Sequence, residues 1–430
     1  MREVSQKESR LNPAPDRLRQ QWPWLLMLAP LLLLPVGRSS ELPIAVMAVI
    51  ALAVALRGRM PWRDPAVRLI LVLFACYWLP AAISAIAAVA PERSWMTVAT
   101  TLRFLPFGLF AVWALRAPMA WSRLLTAAAV IVVLWALDAW LQALTGMSLG
   151  GPPEQARISG VFGAGNLKLG QVLATLSPFA LLAARERFGR GGLVLAMALL
   201  ALPILLAGSR AAWLSYALVL VILAWRETRK ARHFVPALAA LALAGAGLIA
   251  LAWQGSLRLD ARIERSLLAL QGTEAAVDEA SAGRLRIWRT AGAMIAAHPI
   301  AGVGVRGFRY AYPTYAAPGD AFVDPATRTG ASHAHQIVLE ILSETGVVGL
   351  LAWLFGTWLA FRAWRCASVM ARSRALAPGL SLVAMCFPLN THLAFYSAWW
   401  GLLFWWLLAL YCAALAGEPK AAIATGAASA

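Results

Sequence analysis

Long apolar runs repeat along almost the whole of this 430-residue chain, and short polar segments separate them. Many of the runs approach the ~20 apolar residues that a helix needs to cross a bilayer. The chain is 61% hydrophobic and only 13% charged, whereas a soluble domain of this length carries roughly a quarter charged residues. Tryptophans stand near the ends of many runs, as in the aromatic belts of membrane proteins. The fold class is therefore an all-α polytopic membrane protein.

The runs predict about twelve transmembrane helices and one long, partly helical loop. The predicted spans lie near residues 23–37, 41–56, 67–89, 96–115, 122–145, 167–184, 192–208, 211–225, 235–254, 337–362, 377–394 and 397–416. They divide the chain into an N-terminal bundle of about nine helices (1–254), a loop with amphipathic helices (255–334), a C-terminal group of about three helices (335–416) and a tail (417–430). The first run lacks a clear cleavage site, so we expect no cleavable signal peptide.

Basic residues alternate between the two ends of these spans and predict the orientation of the chain. They are concentrated at one end, around 57–63, 116–123, 185–190, 226–232 and 362–374. The short loops at the other end hold chiefly Arg38, Arg93, Arg157 and Arg210. The positive-inside rule then puts both termini in the cytoplasm and residues 255–334 outside. The net charge of +18 therefore reflects membrane orientation, and we expect no nucleic-acid partner.

Several cations lie on the outer side, where the orientation rule does not explain them. They are Arg157, Arg210, Arg284 and Arg286, and His335 ends the long loop. A histidine titrates near neutral pH. At a membrane face beside permanent cations, it suggests chemistry on a lipid-bound anion. The alternative is a scattered set of interfacial arginines whose side chains reach toward lipid phosphates.

The long loop has internal organisation. Residues 256–272 have amphipathic spacing and predict a helix on the membrane surface. A second helix is expected over 284–297, and the glycine cluster at 302–307 is interpreted as a tight turn. We expect Ser332 to cap the helix that begins near His335.

Two further features of the sequence bear on the site. His333 is expected to point to a different side from His335. The four cysteines, Cys76, Cys366, Cys386 and Cys412, show no metal-ligand spacing and are interpreted as packing residues or free thiols.

At this point the motifs match a known family. Residues 332–349 resemble the His-Asn-x-x-Leu-x-x-x-x-Glu-x-Gly-x-x-Gly signature of the O-antigen ligase and polymerase superfamily. The positions in register are His335, Leu339, Glu344, Gly346 and Gly349, with Gln336 in place of the usual Asn. Three other segments are similar to motifs of that family: Arg284-x-x-x-Trp288 followed by His298-Pro299-x-x-Gly302-x-Gly304, the Gly208-Ser209-Arg210 turn, and Arg157-x-x-Gly160 with Asn166. Ala164-Gly165 departs from the pattern, because many relatives have a polar residue and Pro there.

The resemblance implies a glycosyl transfer on the periplasmic side of a bacterial inner membrane. The donor would be an O-antigen glycan on undecaprenyl pyrophosphate, and the acceptor a hydroxyl of the lipid A–core oligosaccharide, both among membrane lipids. His335 would be the general base. Arg210 and Arg284, with Arg157 and Arg286, would hold the pyrophosphate. A direct displacement inverts the anomeric centre, and the sequence offers no Asp-x-Asp pair or metal cluster, so we expect no cofactor.

Other functions remain open at this stage. An O-antigen polymerase or a protein O-oligosaccharyltransferase would use the same chemistry with a different acceptor. A transporter would fit the twelve spans and the intramembrane polar residues Asp138, Lys168 and His392. The sequence shows no internal duplication of the kind that many transporters have.

Overall fold

A computed structural model of the protein describes residues 13–116, 118–152, 157–228, 230–255 and 268–416. Within those ranges the structure is α-helical, apart from two 3₁₀ turns and two isolated β-bridges. The helices are α1 Pro13–Leu32, α2 Glu41–Leu56, α3 Pro65–Ile86, α4 Pro91–Thr101, α5 Phe104–Ala114, α6 Pro118–Thr145, α7 Leu169–Leu206, α8 Arg210–Thr228, α9 Ala231–Gly255, α10 Glu274–Ala280, α11 Arg284–Ala297, α12 Phe308–Tyr315, α13 Ile337–Cys366, α14 Val369–Arg374, α15 Leu376–Met385 and α16 Ala398–Ala414. Most of the predicted 256–272 helix and all of the 417–430 tail lie outside the described residues.

Seven of the helical segments are long and apolar enough to cross a membrane. They are α3, the pair α4 and α5 taken together, α6, α7, α8, most of α9, and α13. Four shorter apolar helices, α2, α15, α16 and the second half of α1, accompany them. Each of the twelve predicted spans overlaps one of these helices or one arm of α7. The expectation of an all-α polytopic membrane protein is confirmed.

Helix α7 is a hairpin rather than a single rod. A straight helix of its 38 residues would be about 57 Å long, nearly twice the thickness of a hydrocarbon core. Gly189 interrupts it with a φ of 70°. A Cβ added to Gly170 would lie 2.9 Å from Cβ of Ala207 and 3.6 Å from the carbonyl oxygen of Ile204. The two ends of α7 are therefore side by side, and residues 169–188 and 190–206 form two antiparallel arms, as the sequence predicted.

The predicted span at 377–394 is wrong in its second half. Helix α15 ends at Met385 after 10 residues, or about 15 Å. Pro388 has no N–H to donate and disfavours helical geometry at the residue before it, in keeping with a helix that ends just upstream. The segment 386–397 is non-helical until α16 begins. His392, which the sequence placed inside a span, lies in this segment.

Aromatic packing joins the C-terminal helices to the N-terminal bundle. The ring of Trp405 in α16 lies 5.4 Å from Phe74 and 5.5 Å from Tyr77 in α3, and 5.9 Å from Phe104 in α5. All four side chains are buried. Helix α13 packs along α3, and α15 packs on α7 and α16. Because lipid gives apolar helices no solvent-driven reason to associate, close contacts of this kind hold the bundle together.

Residues 268–336 lie at one end of the bundle, which is called the loop side below. Helices α11 and α12 share a small core there with the residues before α13. Ile287, Met294, Phe308 and Tyr312 are buried in it. Helix α11 also packs against α13, so the loop-side unit has a fixed position over the helices that carry the family-like motifs.

Candidate functional site

His335 lies just before helix α13, in a left-handed backbone conformation with a φ of 54°. Its Nδ1 is 2.8 Å from the carbonyl oxygen of Thr391. A carbonyl only accepts hydrogen bonds, so Nδ1 carries the proton and a neutral imidazole has its lone pair on Nε2. The sequence predicted a helix that begins near His335, and it begins at Ile337.

The segment around His335 is held by contacts on both sides. Nε1 of Trp288 donates to the carbonyl of Ala334 at 3.1 Å. Oε1 of Gln336 accepts from the backbone N–H of Leu339 at 2.6 Å and caps α13. The predicted cap, Ser332, is wrong, because its hydroxyl lies 2.9 Å from Nδ1 of His333 instead. Gln336 therefore fills the capping role at the position where relatives have Asn.

The glycines of two motifs meet in a seam where backbone packs on backbone. Gly346 breaks α13 with a φ of 64°, and a Cβ there would lie 2.1 Å from the carbonyl oxygen of Ile300. The backbone N–H of Val303 donates to the carbonyl oxygen of Ser343 at 2.8 Å. A Cβ on Gly302 would lie 2.4 Å from the carbonyl carbon of Glu344. Only glycine fits such close approaches, so the 302–307 cluster is structural, in keeping with its interpretation as a turn.

A buried asparagine shapes the segment that accepts the hydrogen bond from His335. Nδ2 of Asn390 donates to the carbonyl of Met385 at 2.7 Å, and its Oδ1 accepts from the N–H of His392 at 3.1 Å. Asn390 is fully buried. The side chain replaces helical hydrogen bonds that α15 loses at its end. It thereby fixes the position of the Thr391 carbonyl.

Arg284 lies close to both Arg210 and His335. Arg210 and Arg284 are each the first residue of a helix, α8 and α11 respectively, where the helix dipole favours an anion. Burial and then the nearby charge of Arg210 lower the pKa of Arg284. Burial lowers the pKa of His335 most, the Arg284 charge lowers it further, and the hydrogen bond to Thr391 opposes both. Two positive charges held close together favour a bound anion between them.

Arg157 reaches the same region from a loop between α6 and α7. Oε1 of Gln142 accepts from the backbone N–H groups of Ser159 and Gly160, both at 2.8 Å. This buried amide holds the loop next to Arg157. The guanidinium of Arg157 interacts electrostatically with His392. Of the four predicted arginines, Arg157 and Arg284 therefore lie near the histidines, and Arg210 lies near Arg284.

Arg286 does not join this group. Its Nε lies 2.6 Å from Oδ2 of Asp278, and its backbone N–H donates to Oδ1 of the same carboxylate at 3.3 Å. The hydrogen bond and charge of Asp278 raise the pKa of Arg286. Arg286 therefore ties α11 to α10 rather than facing His335.

Three residues of the cluster were missed as site residues from the sequence. The ring of His333 lies 3.9 Å from that of His335, so the expectation that it points elsewhere is wrong. His392 interacts with both Arg284 and His335. The charge of Arg306 lowers the pKa of His333, and Arg306 adopts a left-handed φ of 60°. Only Arg306 carried a signal, because it follows the glycines of a family-like motif.

His333 is buried, and among the described residues its Nε2 has no hydrogen-bond partner. Burial lowers the pKa of His333 well below the usual value, and the charges of His335 and Arg306 lower it further. His333 is therefore neutral near pH 7 and leaves His335 as the more basic of the two stacked imidazoles.

Two buried glutamates in the first arm of α13 support the surrounding loops. Oε2 of Glu344 accepts from the backbone N–H of Arg306 at 2.7 Å. Oε1 of Glu340 lies 3.4 Å from the backbone N of Tyr396. Both residues are fully buried. The arm thereby joins the glycine seam to the 386–397 segment, and His335 lies between them.

The arrangement provides a neutral imidazole with a free Nε2 beside clustered guanidinium groups. An imidazole of this kind can accept a proton from a hydroxyl, and the arginines can stabilise a phosphate-bearing leaving group. Among the residues that the structure describes, no three His, Cys, Asp or Glu side chains are grouped so as to hold a metal ion.

Comparison with known proteins adds one finding. Residues 195–354 match the protein-family model described as O-antigen ligase. No curated protein matches the chain. The matched range contains Arg210, Arg284 and His335, together with the glycine seam. This part of the chain is therefore similar to the O-antigen ligase family model.

Proposed function

We propose that the protein transfers O-antigen polysaccharide from undecaprenyl pyrophosphate to the lipid A–core oligosaccharide. One arrangement carries the proposal. His335, whose Nδ1 is directed to Thr391, lies near the pair formed by Arg210 and Arg284. The first supplies a base of defined orientation, and the second suits a pyrophosphate. The O-antigen ligase match over residues 195–354 supports the same chemistry.

The reaction is a single displacement. Nε2 of His335 takes the proton of the acceptor hydroxyl as its oxygen forms a bond to the anomeric carbon of the donor. The bond between that carbon and the pyrophosphate oxygen breaks, and both electrons leave with the pyrophosphate. Arg210 and Arg284 bind the departing oxygens, with Arg157 at the edge of the site. Attack opposite the leaving group inverts the anomeric centre, and no metal is part of the proposal.

The loop side would face the periplasm from a bacterial inner membrane. The basic residues around 57–63, 185–190 and 362–374 are at the opposite end of the bundle from α11 and His335. Positively charged short loops remain in the cytoplasm, so residues 255–334 are proposed to be periplasmic. The two transmembrane groups, 1–254 and 335–416, would then both contribute to one external site.

The decisive experiment is a glycolipid profile of a strain that lacks this chain. A ligase deletion loses all long-chain lipopolysaccharide and accumulates polymer on the carrier lipid. Loss of polymer with retention of a single ligated unit would identify a polymerase instead. Unchanged surface glycolipid and no turnover of lipid-linked glycan by purified protein would reject the glycosyl transfer and leave transport as the function to test.

A further inference from the structure

Arg306 has a backbone conformation that glycine adopts more readily. Its φ is 60°, although glycines stand close by at 304 and 307 in the same turn. Non-glycine residues in this left-handed region are uncommon and collect at functional sites. The others in the described part of the chain are Ala282, Arg328 and His335. Arg306 therefore shares an unusual backbone with the proposed base, which suggests that its side chain has a role of its own.

The turn that carries Arg306 is fixed on two sides. Its backbone N–H donates to Oε2 of Glu344 at 2.7 Å. The preceding residue, Val305, donates its N–H to Oγ of Ser84 at 3.0 Å, and its carbonyl accepts from Oγ of Ser94 at 2.8 Å. Val305 is fully buried, whereas Arg306 is half-buried. The backbone of Arg306 is therefore held in place while the residue remains partly accessible on the loop side.

Arg306 and Arg284 reach the histidine pair at different rings. Both charges lower the pKa of His333, and that of Arg306 has the larger effect. The arginine that lowers the pKa of His335 is Arg284. The rings of His333 and His335 are 3.9 Å apart. We therefore place Arg306 on the His333 side of the pair and Arg284 on the His335 side.

The position of Arg306 suits the acceptor rather than the leaving group. An attack opposite the leaving group needs the acceptor and the pyrophosphate on opposite sides of the anomeric carbon. The pyrophosphate is proposed to lie on Arg210 and Arg284, so the acceptor would extend along the His333 side, toward Arg306. Within the described ranges the Arg306 guanidinium forms no ion pair, although its charge acts on Glu344 at longer range. Its donors can therefore bind an oxyanion.

A second outer-side cation, Arg93, lies near the same turn. Arg93 and Arg306 both interact electrostatically with Glu344. The residue after Arg93 is Ser94, which donates to the turn. Arg93 is exposed near the start of α4, and Trp95 beside it is 48% exposed. Tryptophan favours the interface between lipid and water, so Arg93 lies where a membrane-bound acceptor presents its first sugars.

We propose that Arg306, assisted by Arg93, binds an oxyanion of the acceptor, a phosphate or a carboxylate of its oligosaccharide. The inference rests on the proposed function and deepens it. The contact holds the acceptor so that its hydroxyl lies beside Nε2 of His335. Arg306 is then a specificity-determining residue, and the protein prefers anionic acceptors to neutral ones of the same sugar sequence.

Two glycine substitutions test the role of the side chain without disturbing the backbone. Arg306→Gly removes the guanidinium, and glycine adopts a φ of 60° readily. Arg328→Gly is the matched control. Arg328 also has a left-handed φ, of 50°, and it is exposed in the loop-side turn closed by the bridge between Asp324 and Thr329. Both variants should retain the wild-type melting temperature in detergent.

We expect Arg306→Gly to raise the KM for the lipid A–core acceptor about 10- to 100-fold, the effect of losing a charge-assisted hydrogen bond. The KM for the donor should not change. Arg328→Gly should behave as the wild type with both substrates. An acceptor KM that does not change, or a donor KM that rises as much as the acceptor KM, would overturn the proposal.

Changing the acceptor identifies the oxyanion. Wild type and Arg306→Gly are compared on the intact acceptor, on one without phosphates and on one with reduced carboxyl groups. The acceptor that lacks the contacted group should have a raised KM with the wild type and no further rise with Arg306→Gly. Additive effects with both altered acceptors would contradict a direct contact.

A binding measurement separates this inference from the proposed function. The intact lipid A–core acceptor is titrated into purified protein without donor, and its Kd should rise in Arg306→Gly but not in Arg328→Gly. Binding that depends on Arg306, without any transfer by the wild type, would retain the anion site and reject the ligase reaction. Normal transfer with a Kd that does not depend on Arg306 would reject the anion site alone.

Discussion

The two nitrogens of His335 have different surroundings, and this difference gives the residue its chemistry. Nδ1 is engaged by the Thr391 carbonyl, so the tautomer is fixed and Nε2 is the basic atom. Serine or glutamine in its place would retain polarity without a comparable base. The neighbouring His333 is more deeply buried, so a substrate hydroxyl would reach it less readily.

His335→Ala should therefore lower transfer by about 10²–10⁴-fold, the usual contribution of a positioned acid–base group. The protein should still fold, because the residue precedes α13 and is only partly buried. His333→Ala is the control and should have a smaller effect, through loss of the ring that stacks on His335. Ligated glycolipid at equal expression measures both. A larger defect in His333→Ala would reassign the base.

Arginine-to-lysine changes test the pyrophosphate contacts. Lysine retains the charge of Arg210 or Arg284 but cannot form the two parallel hydrogen bonds of a guanidinium. We expect each lysine variant to lose roughly 10- to 100-fold in kcat/KM, from about 1.5–3 kcal/mol per charge-assisted hydrogen bond. Arg286→Lys is the comparison, since Asp278 engages that side chain, and it should remain close to wild type. Full activity in both test variants would limit the arginines to a general electrostatic role.

The pH dependence of kcat/KM should report the neutral form of His335. Burial and the Arg284 charge lower its pKa, so activity should fall on the acid side only below about pH 6.5, the ordinary value for histidine. In Arg284→Gln one of these causes is removed. The pKa rises, and the acid limb should move to higher pH, whatever the loss in overall rate. An unmoved limb, or one displaced to lower pH, would show that another group controls it.

The family-like motifs identified residues at turns and helix starts, such as Arg210 and Arg284. They did not identify His392, because its relation to His335 depends on a contact between residues 56 positions apart. A helical period cannot encode that contact. Arg286 was assigned to the site as one of the cations on the outer side, but its side chain pairs with Asp278.

At the scale of elements, α13 is two arms that meet at Gly346. A Cβ added to Gly349 would lie 3.3 Å from Cγ2 of Ile341, so the arm 337–345 folds back over the start of the longer arm. The turn brings the glutamates of the first arm under the glycine seam. It also fixes the direction in which His335 enters the site.

Gly346→Ala should disrupt this element. Any side chain there meets the backbone of Ile300 and must adopt a left-handed φ, which alone costs about 1–2 kcal/mol. We expect a lower melting temperature in detergent and loss of transfer. Gly292→Ala is the control, because nothing lies within 4 Å of its Cβ position in α11, and alanine favours a helix by up to about 1 kcal/mol. Equal stability of the two variants would contradict the seam.

Apolar periodicity predicted the helices well, including the break between the two arms of α7, because glycine and arginine interrupt the run there. It did not predict the end of α15. The run through 377–394 remains apolar past Met385, and the local signs of a break were Pro388 and the polar residues Asn390, Thr391 and His392. Non-helical backbone in such a run is stable only when protein surrounds it, a condition that composition does not reveal.

At the scale of the whole molecule, the loop side carries His335, the arginines and the unit built on α11 and α12. We expect a membrane-impermeant thiol reagent, added to intact spheroplasts, to label Ala317→Cys, which is exposed on the loop side. The native Cys366 is the internal control, since it is exposed at the other end of α13. It should react only after the membrane is permeabilised. The opposite pattern would invert the chain and reject a periplasmic site.

The late position of the 386–397 segment in the chain has a consequence for biosynthesis. Helices enter the membrane in the order in which the ribosome makes them, so the arginines at the starts of α8 and α11 are in place well before Thr391 emerges. Until α16 is inserted, the 386–397 segment lacks the packing of Phe395 on Phe404, so the carbonyl that orients His335 has only part of its support. On the proposed function, a nascent chain would therefore bind a charged lipid before it could react with one, and activity would appear only when synthesis is nearly complete.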